Sequence, residues 1–169
     1  MAILTLHSGQ KPIAKQVHEF AEQKGLKPVL LHQFHPQNIV HLKAGESKAP
    51  YGLIHGCLFL AGFSKGGGMI SAVHLPSGDG TRNAGRTRGQ VAELVEKVGH
   101  DAVFAVVGLP SNPNALRQEL LKIIMGELEA RGAELHERHI SRRGDEPNGV
   151  LIDPKNKEMH VFLKTKELP

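Results

Sequence analysis

Two apolar segments on either side of a short glycine-rich stretch constrain the fold of this chain most strongly. Leu53–Leu60 and Met69–Leu75 both have the composition of β-strands, and they flank Ser64–Gly67. Two strands joined by so short a connection pair antiparallel within one sheet. The sequence therefore favours sheets whose strands follow one another along the chain over a regular alternation of strands and helices.

The other predicted elements combine short strands with a few helices. Strand patterns cover residues 2–6, 27–31, 39–42, 102–107 and 134–140, and a C-terminal hairpin covers residues 149–153 and 159–164. Helical spacing of apolar residues covers 12–24, 90–98 and a segment beginning at Asn112 and Pro113. Ser77–Arg88, rich in glycine and arginine, is predicted to be a loop. We expect an α+β fold: a mixed, largely antiparallel sheet or sandwich flanked by two to three helices.

Length and charge limit the domain organisation and the partners. The 169 residues contain no linker-like stretch, which predicts a single domain over 1–169, with residues 1–50 as an extension packed on a core of residues 51–165. The net charge is +4 and aromatic residues make up 4%, so nucleic acid is not the expected partner. We expect no membrane partner and a cytoplasmic location, or export without a cleaved signal peptide and delivery to a host cell.

Cys57 is the single cysteine, so it is either a small core residue or a reactive thiol. If the hairpin turn is centred between Lys65 and Gly66, Cys57 lies directly opposite His74 on the same face of the sheet. A register shift of one residue would place them on opposite faces. A thiol beside an imidazole suits nucleophilic catalysis, because the imidazole accepts the thiol proton. Backbone N–H groups near Gly56 could then bind an oxyanion.

The stretch YGLIHGCLFLAGFSKGGGMISAVHLP, residues 51–76, resembles the core of the cysteine-dependent protein glutamine deamidases. These include the chemoreceptor deamidases of the CheD family and toxins similar to cytotoxic necrotizing factor and the Burkholderia lethal factor. The resemblance lies in the glycine before the cysteine, the spacing from Cys57 to His74 and the strand end His-Leu-Pro. It covers roughly residues 51–164 and implies a CheD-like fold and hydrolysis of a glutamine side-chain amide in a partner protein, with no cofactor.

The same resemblance implies the catalytic roles. Cys57 would be the nucleophile, and His74 would be the base that later protonates the leaving ammonia. Family members often carry a threonine six residues before the cysteine that orients the histidine. Tyr51 occupies that position here, so it is the candidate for the third catalytic group.

Three further side chains are candidates for substrate binding. His55 lies two residues before the cysteine and shares its strand face, although packing explains it equally well. Arg82 and Arg86 follow His74 in the predicted loop, where they would bind an acidic partner unless the loop is simply solvated. The eleven histidines show no zinc-binding spacing, so no metal site is predicted.

The leading hypothesis is a protein glutamine deamidase of toxin or effector type, because the Gly-Cys pair is closer to the toxins. One alternative is a chemoreceptor glutamine deamidase of bacterial chemotaxis, which the His-Leu-Pro end favours. Another alternative is a non-catalytic module of the same fold that binds protein or nucleic acid through basic loops.

Overall fold

The computed structural model describes residues 3–54, 56–108, 115–140 and 148–165. Within these residues the chain forms ten strands and four helices. The strands are β1 (Leu4–Gly9), β2 (Lys27–Leu30), β3 (Ile39–Lys43), β4 (Lys48–Ile54), β5 (Cys57–Phe63), β6 (Met69–Pro76), β7 (Val103–Gly108), β8 (Leu135–Ile140), β9 (Asn148–Asp153) and β10 (Glu158–Lys164). The helices are α1 (Ile13–Gln23), α2 (Ser77–Arg82), α3 (Ala84–Val98) and α4 (Ala115–Ala130).

The strands form two five-stranded sheets. The first sheet has the order β1-β10-β9-β4-β2, and the second has the order β3-β6-β5-β7-β8. The pairs β1–β10, β2–β4 and β7–β8 are parallel, and the other pairs are antiparallel. This architecture confirms the predicted α+β class with mixed, largely antiparallel sheets.

The two sheets and the helices that cover them form four layers. Apolar side chains such as Phe59 and Ile152 fill the space between the sheets. The helix α1 lies on the outer face of the first sheet, because its buried residues, Val17 among them, recur every four positions on one side. The helices α3 and α4 cover the outer face of the second sheet with side chains such as Leu94 and Ile124. Each side chain of this size stabilises the fold by roughly 1.5–3 kcal/mol when it is fully buried.

Residues before position 50 supply strands to both sheets. The strand β1 pairs with β10, β2 pairs with β4, and β3 pairs with β6. The connection between β2 and β3 therefore passes from the first sheet to the second at one end of the sandwich. This connection reaches the end of β5 at which Cys57 lies.

The predicted loop Ser77–Arg88 is wrong, since these residues form α2 and the first turns of α3. One glycine there, Gly80, permits close packing, since a Cβ on it would lie 2.9 Å from Leu120 Cδ1 of α4. The Gly80 carbonyl also accepts a hydrogen bond of 2.7 Å from Thr87 Oγ1, which joins α2 to α3. Tertiary packing thus outweighs the low helix propensity of glycine.

The prediction of one continuous strand over Leu53–Leu60 is also wrong, because these residues belong to two strands in different sheets. The strand β4 ends at Ile54 in the first sheet, and β5 begins at Cys57 in the second. The predicted helix start at Asn112 and Pro113 lies outside the described residues. In the described part of the chain, no helix combines the length and the apolar character that crossing a membrane requires.

Candidate functional site

Cys57 and His74 lie on neighbouring strands and face the space between the two sheets. Cys57 begins β5 and pairs with Pro76 of β6, whereas His74 pairs with Phe59. The two residues are therefore diagonal neighbours on one face, with Cα atoms expected roughly 7–8 Å apart. The predicted direct opposition of Cys57 and His74 is wrong by two residues in the pairing register, but a shift of two keeps both side chains on the same face.

The hairpin turn explains this register. It is centred between Gly66 and Gly67, one residue later than predicted. The Ser64 N–H donates to the Met69 carbonyl at 2.9 Å, and the Met69 N–H donates to Ser64 Oγ at 2.9 Å. Gly67 adopts a φ of 74°, which a side chain would disfavour. The several glycines in this stretch allowed more than one turn centre, and these hydrogen bonds select the later one.

His74 is buried and makes a hydrogen bond through one ring nitrogen. Its Nδ1 lies 3.1 Å from the Leu31 carbonyl oxygen, so Nδ1 carries the proton and donates it. Its Nε2 is buried and has no hydrogen-bond partner among the described residues. Burial lowers the pKa of His74, and the bond to the Leu31 carbonyl opposes this only in part. At neutral pH the ring is therefore uncharged, with Nε2 available as a proton acceptor.

Tyr51 faces away from this imidazole. Side chains alternate along β4, and Tyr51 packs on the α1 side, where its hydroxyl lies 3.3 Å from His18 Nε2. Gly52 faces His74 instead, and a Cβ there would lie 3.3 Å from the His74 Nδ1. The structure thus does not bring Tyr51 to the imidazole, and the group that orients the ring is the Leu31 carbonyl.

The Cys57 thiol contacts a residue that the sequence did not single out. Its side chain is 7% exposed, and Sγ donates to Gln33 Oε1 at 3.0 Å. Gln33 lies in the polar connection between β2 and β3. Nothing in the local sequence indicates that this connection folds back onto the start of β5, because the contact depends on which strands the two sheets place side by side.

The same connection holds the backbone of His74. The Asn38 carbonyl accepts from the His74 N–H at 2.8 Å, and Asn38 Nδ2 donates to the His74 carbonyl at 3.1 Å. Gln90 of α3 orients the Asn38 side chain by donating to its Oδ1 at 2.7 Å. The connection between β2 and β3 carries Leu31, Gln33 and Asn38. This one connection therefore supports both the Cys57 thiol and the His74 imidazole.

The backbone immediately before Cys57 is hydrogen-bonded to the first residue of α2, which follows β6 of the second sheet. The Gly56 carbonyl accepts from the Ser77 N–H at 3.2 Å and from the Ser77 hydroxyl. These bonds place Gly56 against the start of α2. The candidate substrate residue His55 lies outside the described residues.

A cavity of about 310 Å³ opens beside Gln33 and Pro76. It is lined by aromatic, polar and charged side chains: Gln33, Phe34, His35, Pro76, Asp79 and Arg86. Arg86 forms an ion pair with Asp79 at this wall. Arg82 ends α2, is exposed, and is not among the residues that line the cavity. No three His, Cys, Asp or Glu side chains of the described residues lie together as a metal site.

A second groove, of about 330 Å³, lies between α3 and α4 on the far side of the second sheet. It is slightly larger, and the lining of neither cavity includes Cys57 or His74. The smaller cavity is the better candidate, because a wall residue, Gln33, contacts the thiol directly.

The four layers define an α+β two-sheet protein in which a buried thiol and a buried imidazole lie on one sheet face at one end of the sandwich. The fold is similar to that of Neisseria meningitidis protein NMB0706, described under the family model DUF152, with a TM-score of 0.52 and 11% identity over 77% of this chain and 69% of that chain. Bacillus licheniformis hypothetical protein YfiH matches with a TM-score of 0.43 and 10% identity, over 62% of this chain and 50% of that one. No family model and no curated protein matches the sequence.

The predicted membership in the glutamine deamidase superfamily is wrong, because the fold is similar to that of the DUF152 protein. The predicted cysteine-dependent amidohydrolase activity, the toxin and chemotaxis roles, and the binding module of a CheD-like fold are wrong with it. The resemblance rested on one hairpin carrying a glycine, a cysteine and a histidine, and such a short pattern does not specify a family. The expectations about protein, membrane and nucleic-acid partners stay predictions.

Proposed function

We propose that this chain binds a small carbonyl compound in the cavity beside Gln33, and that Cys57 and His74 act on it as a thiol–imidazole pair. The observation that carries the proposal is the His74 Nε2. It is a buried acceptor without a hydrogen-bond partner in the described part of the chain, on the same sheet face as the thiol. Leaving such an atom unsatisfied costs roughly 1–3 kcal/mol, which favours a functional use for it.

The electrostatic state of His74 supports a role as a base. Burial lowers its pKa, so the ring is uncharged at neutral pH. The Leu31 carbonyl fixes the proton on Nδ1, which leaves the lone pair of Nε2 to accept a proton. A histidine held in one tautomer by a backbone carbonyl is suited to general base catalysis.

The preference for a carbonyl ligand comes from Gln33. Its Oε1 accepts the hydrogen bond from Cys57 Sγ at 3.0 Å, which shows that a carbonyl oxygen fits against the thiol. A ligand in the adjoining cavity can present its own carbonyl group at the same place. Arg86, on the cavity wall, is the proposed contact for a polar or charged group of that ligand.

The proposed reaction is addition of the thiol to the carbonyl group. The Cys57 proton moves to His74 Nε2, and the sulfur forms a bond to the carbonyl carbon while the carbonyl π bond breaks. The electron pair passes to the carbonyl oxygen, which receives the proton from His74. Backbone N–H groups next to Gly56 are the proposed donors to the developing oxyanion.

The test uses alkylation of Cys57 by iodoacetamide, which mass spectrometry assigns without ambiguity because the chain has one cysteine. At neutral pH we expect the wild type to react at least about tenfold faster than His74→Gln, since a positioned base contributes 10²–10⁴-fold in enzymes. His160→Gln is the matched control, because His160 is also buried but lies on the outer face of the first sheet. Equal rates for wild type and His74→Gln contradict the thiol–imidazole pair.

The ligand part of the proposal is tested by protection. A panel of small aldehydes, ketones and keto acids is added before iodoacetamide, and the rate of Cys57 alkylation is measured. We expect at least one class to slow alkylation in the wild type and to lose this effect in Arg86→Ala. If no compound of the panel slows the alkylation of Cys57, the proposal that the cavity binds a carbonyl compound is wrong.

A further inference from the structure

We infer that Gln33 is a positioning residue that favours the protonated form of the Cys57 thiol until a ligand displaces its amide. This inference rests on the proposed function, since it concerns the regulation of the same thiol. It starts from the contact between Gln33 Oε1 and Cys57 Sγ at 3.0 Å, in which the sulfur donates the proton.

The backbone around Gln33 is fixed on both sides. The Leu31 N–H donates to the Tyr51 carbonyl at 2.8 Å, and the Leu31 carbonyl accepts from His74 Nδ1. At the other end, Asn38 exchanges hydrogen bonds with the backbone of His74. Both anchors hold the backbone on either side of Gln33 through hydrogen bonds other than the contact between Gln33 and Cys57.

The Gln33 side chain itself is positioned so that it can be displaced. It is partly exposed and forms part of the cavity wall. Phe34, the next residue, is 67% exposed and lines the same cavity. A ligand that covered the Phe34 ring would therefore compete with the Gln33 amide for the space beside the thiol, while the anchored backbone stayed in place.

The direction of the effect follows from the hydrogen bond. A bond donated by S–H stabilises the protonated thiol, and the partial negative charge of the amide oxygen disfavours a thiolate beside it. Gln33 therefore lowers the thiol's reactivity in the absence of ligand. Ligand binding removes this effect, so a larger fraction of the thiol is deprotonated when a carbonyl compound occupies the cavity.

The experiment measures the rate of Cys57 alkylation from about pH 5.5 to about pH 10. We expect Gln33→Ala to move the midpoint of the profile to lower pH by about one unit, which is about tenfold in rate at neutral pH. Gln33→Met keeps the length of the side chain without the carbonyl oxygen and is expected to behave alike. Gln33→Glu is expected to move the midpoint to higher pH, because a carboxylate repels the thiolate.

The controls separate this effect from simple access. Gln37→Ala alters an exposed residue of the same connection and is expected to keep the wild-type profile. If Gln33→Ala and Gln33→Met raise only the maximal rate and leave the midpoint unchanged, Gln33 is a steric cover and the inference is overturned. A slower reaction of Gln33→Ala at neutral pH overturns it as well, since the amide would then support the thiolate.

Failure of this inference is distinguishable from failure of the proposed function. If His74→Gln reacts as fast as the wild type, the thiol–imidazole pair is wrong whatever the Gln33 variants do. If His74→Gln is slow but the Gln33 variants keep the wild-type midpoint, the pair stands and the role of Gln33 is wrong.

Discussion

Replacement of His160 tests whether a buried histidine pair makes the free energy of unfolding depend on pH. His160 of β10 is 4% exposed and lies between the first sheet and α1, where its ring centroid is 4.4 Å from that of Phe20. Its Nδ1 lies 2.9 Å from His7 Nε2 of β1, so the two rings share one proton between these atoms. Protonating both rings would place two N–H groups against each other.

The surroundings determine the direction of the pKa shift. Burial is the largest cause and, with His7 and Lys24, it lowers the pKa of His160 to about 4, whereas Asp153 opposes the shift. His160 Nε2 also lies 3.1 Å from Glu158 Oε2, yet it has no hydrogen-bond partner among the described residues. The Glu158 side chain is 44% exposed, so water screens its charge and burial prevails.

The magnitude follows from proton linkage. A histidine with an unfolded pKa of 6.5 and a folded pKa of about 4 binds its proton more readily in the unfolded chain. Its contribution to stability is complete above pH 6.5 and is lost as the pH falls toward 4. Between about pH 7.5 and about pH 5, this single group lowers the free energy of unfolding by about 2 kcal/mol.

Urea denaturation at these two pH values measures the effect. We expect the wild type to lose about 2 kcal/mol more than His160→Gln, which cannot take up the proton. Each protein is compared with itself at the two pH values, so a difference in overall stability cancels. His100→Gln, which alters an exposed histidine, is expected to retain the wild-type loss. If His160→Gln loses as much stability as the wild type, the reasoning from burial is refuted.

Further substitutions test helix packing and the support of the site. Gly149→Ala is expected to lower the free energy of unfolding by about 1–3 kcal/mol, because its Cβ would lie 2.6 Å from a methyl group of α1. Gly126→Ala is expected to raise the free energy of unfolding by up to about 1 kcal/mol, because a Cβ there meets open space in the middle of α4. Urea denaturation that changes the free energy of unfolding in the same direction for both variants would contradict this. Asn38→Ala is expected to cost about 1–3 kcal/mol, because it leaves the His74 carbonyl and the buried Gln90 amide without this partner. A double-mutant cycle of Asn38→Ala with Gln90→Ala checks the second value, and strict additivity would show that the two amides do not interact.

Much of the secondary structure was predictable from local patterns. The buried stripe of α1, the apolar run of β7 and the C-terminal hairpin were correctly predicted, because each depends on the periodicity of its own residues. The segment α2 was misinterpreted as a loop because of its glycines, whereas Gly80 permits the close approach of Leu120 from a helix far along the chain. Local propensity cannot report such a contact.

The candidate site also combines features that local patterns predict with contacts that only the tertiary structure reveals. The sequence by itself determined that Cys57 and His74 belong to two paired strands of one hairpin. Their shared face depended on the turn centre, and it survives because the observed register differs from the predicted one by two residues. Only the tertiary structure decided that Tyr51 points to α1, that the Leu31 carbonyl orients the imidazole, and that Gln33 covers the thiol. Those contacts join residues far apart in the chain across two stacked sheets. Their geometry depends on how the sheets pack against each other, and no periodicity within a single segment encodes that packing.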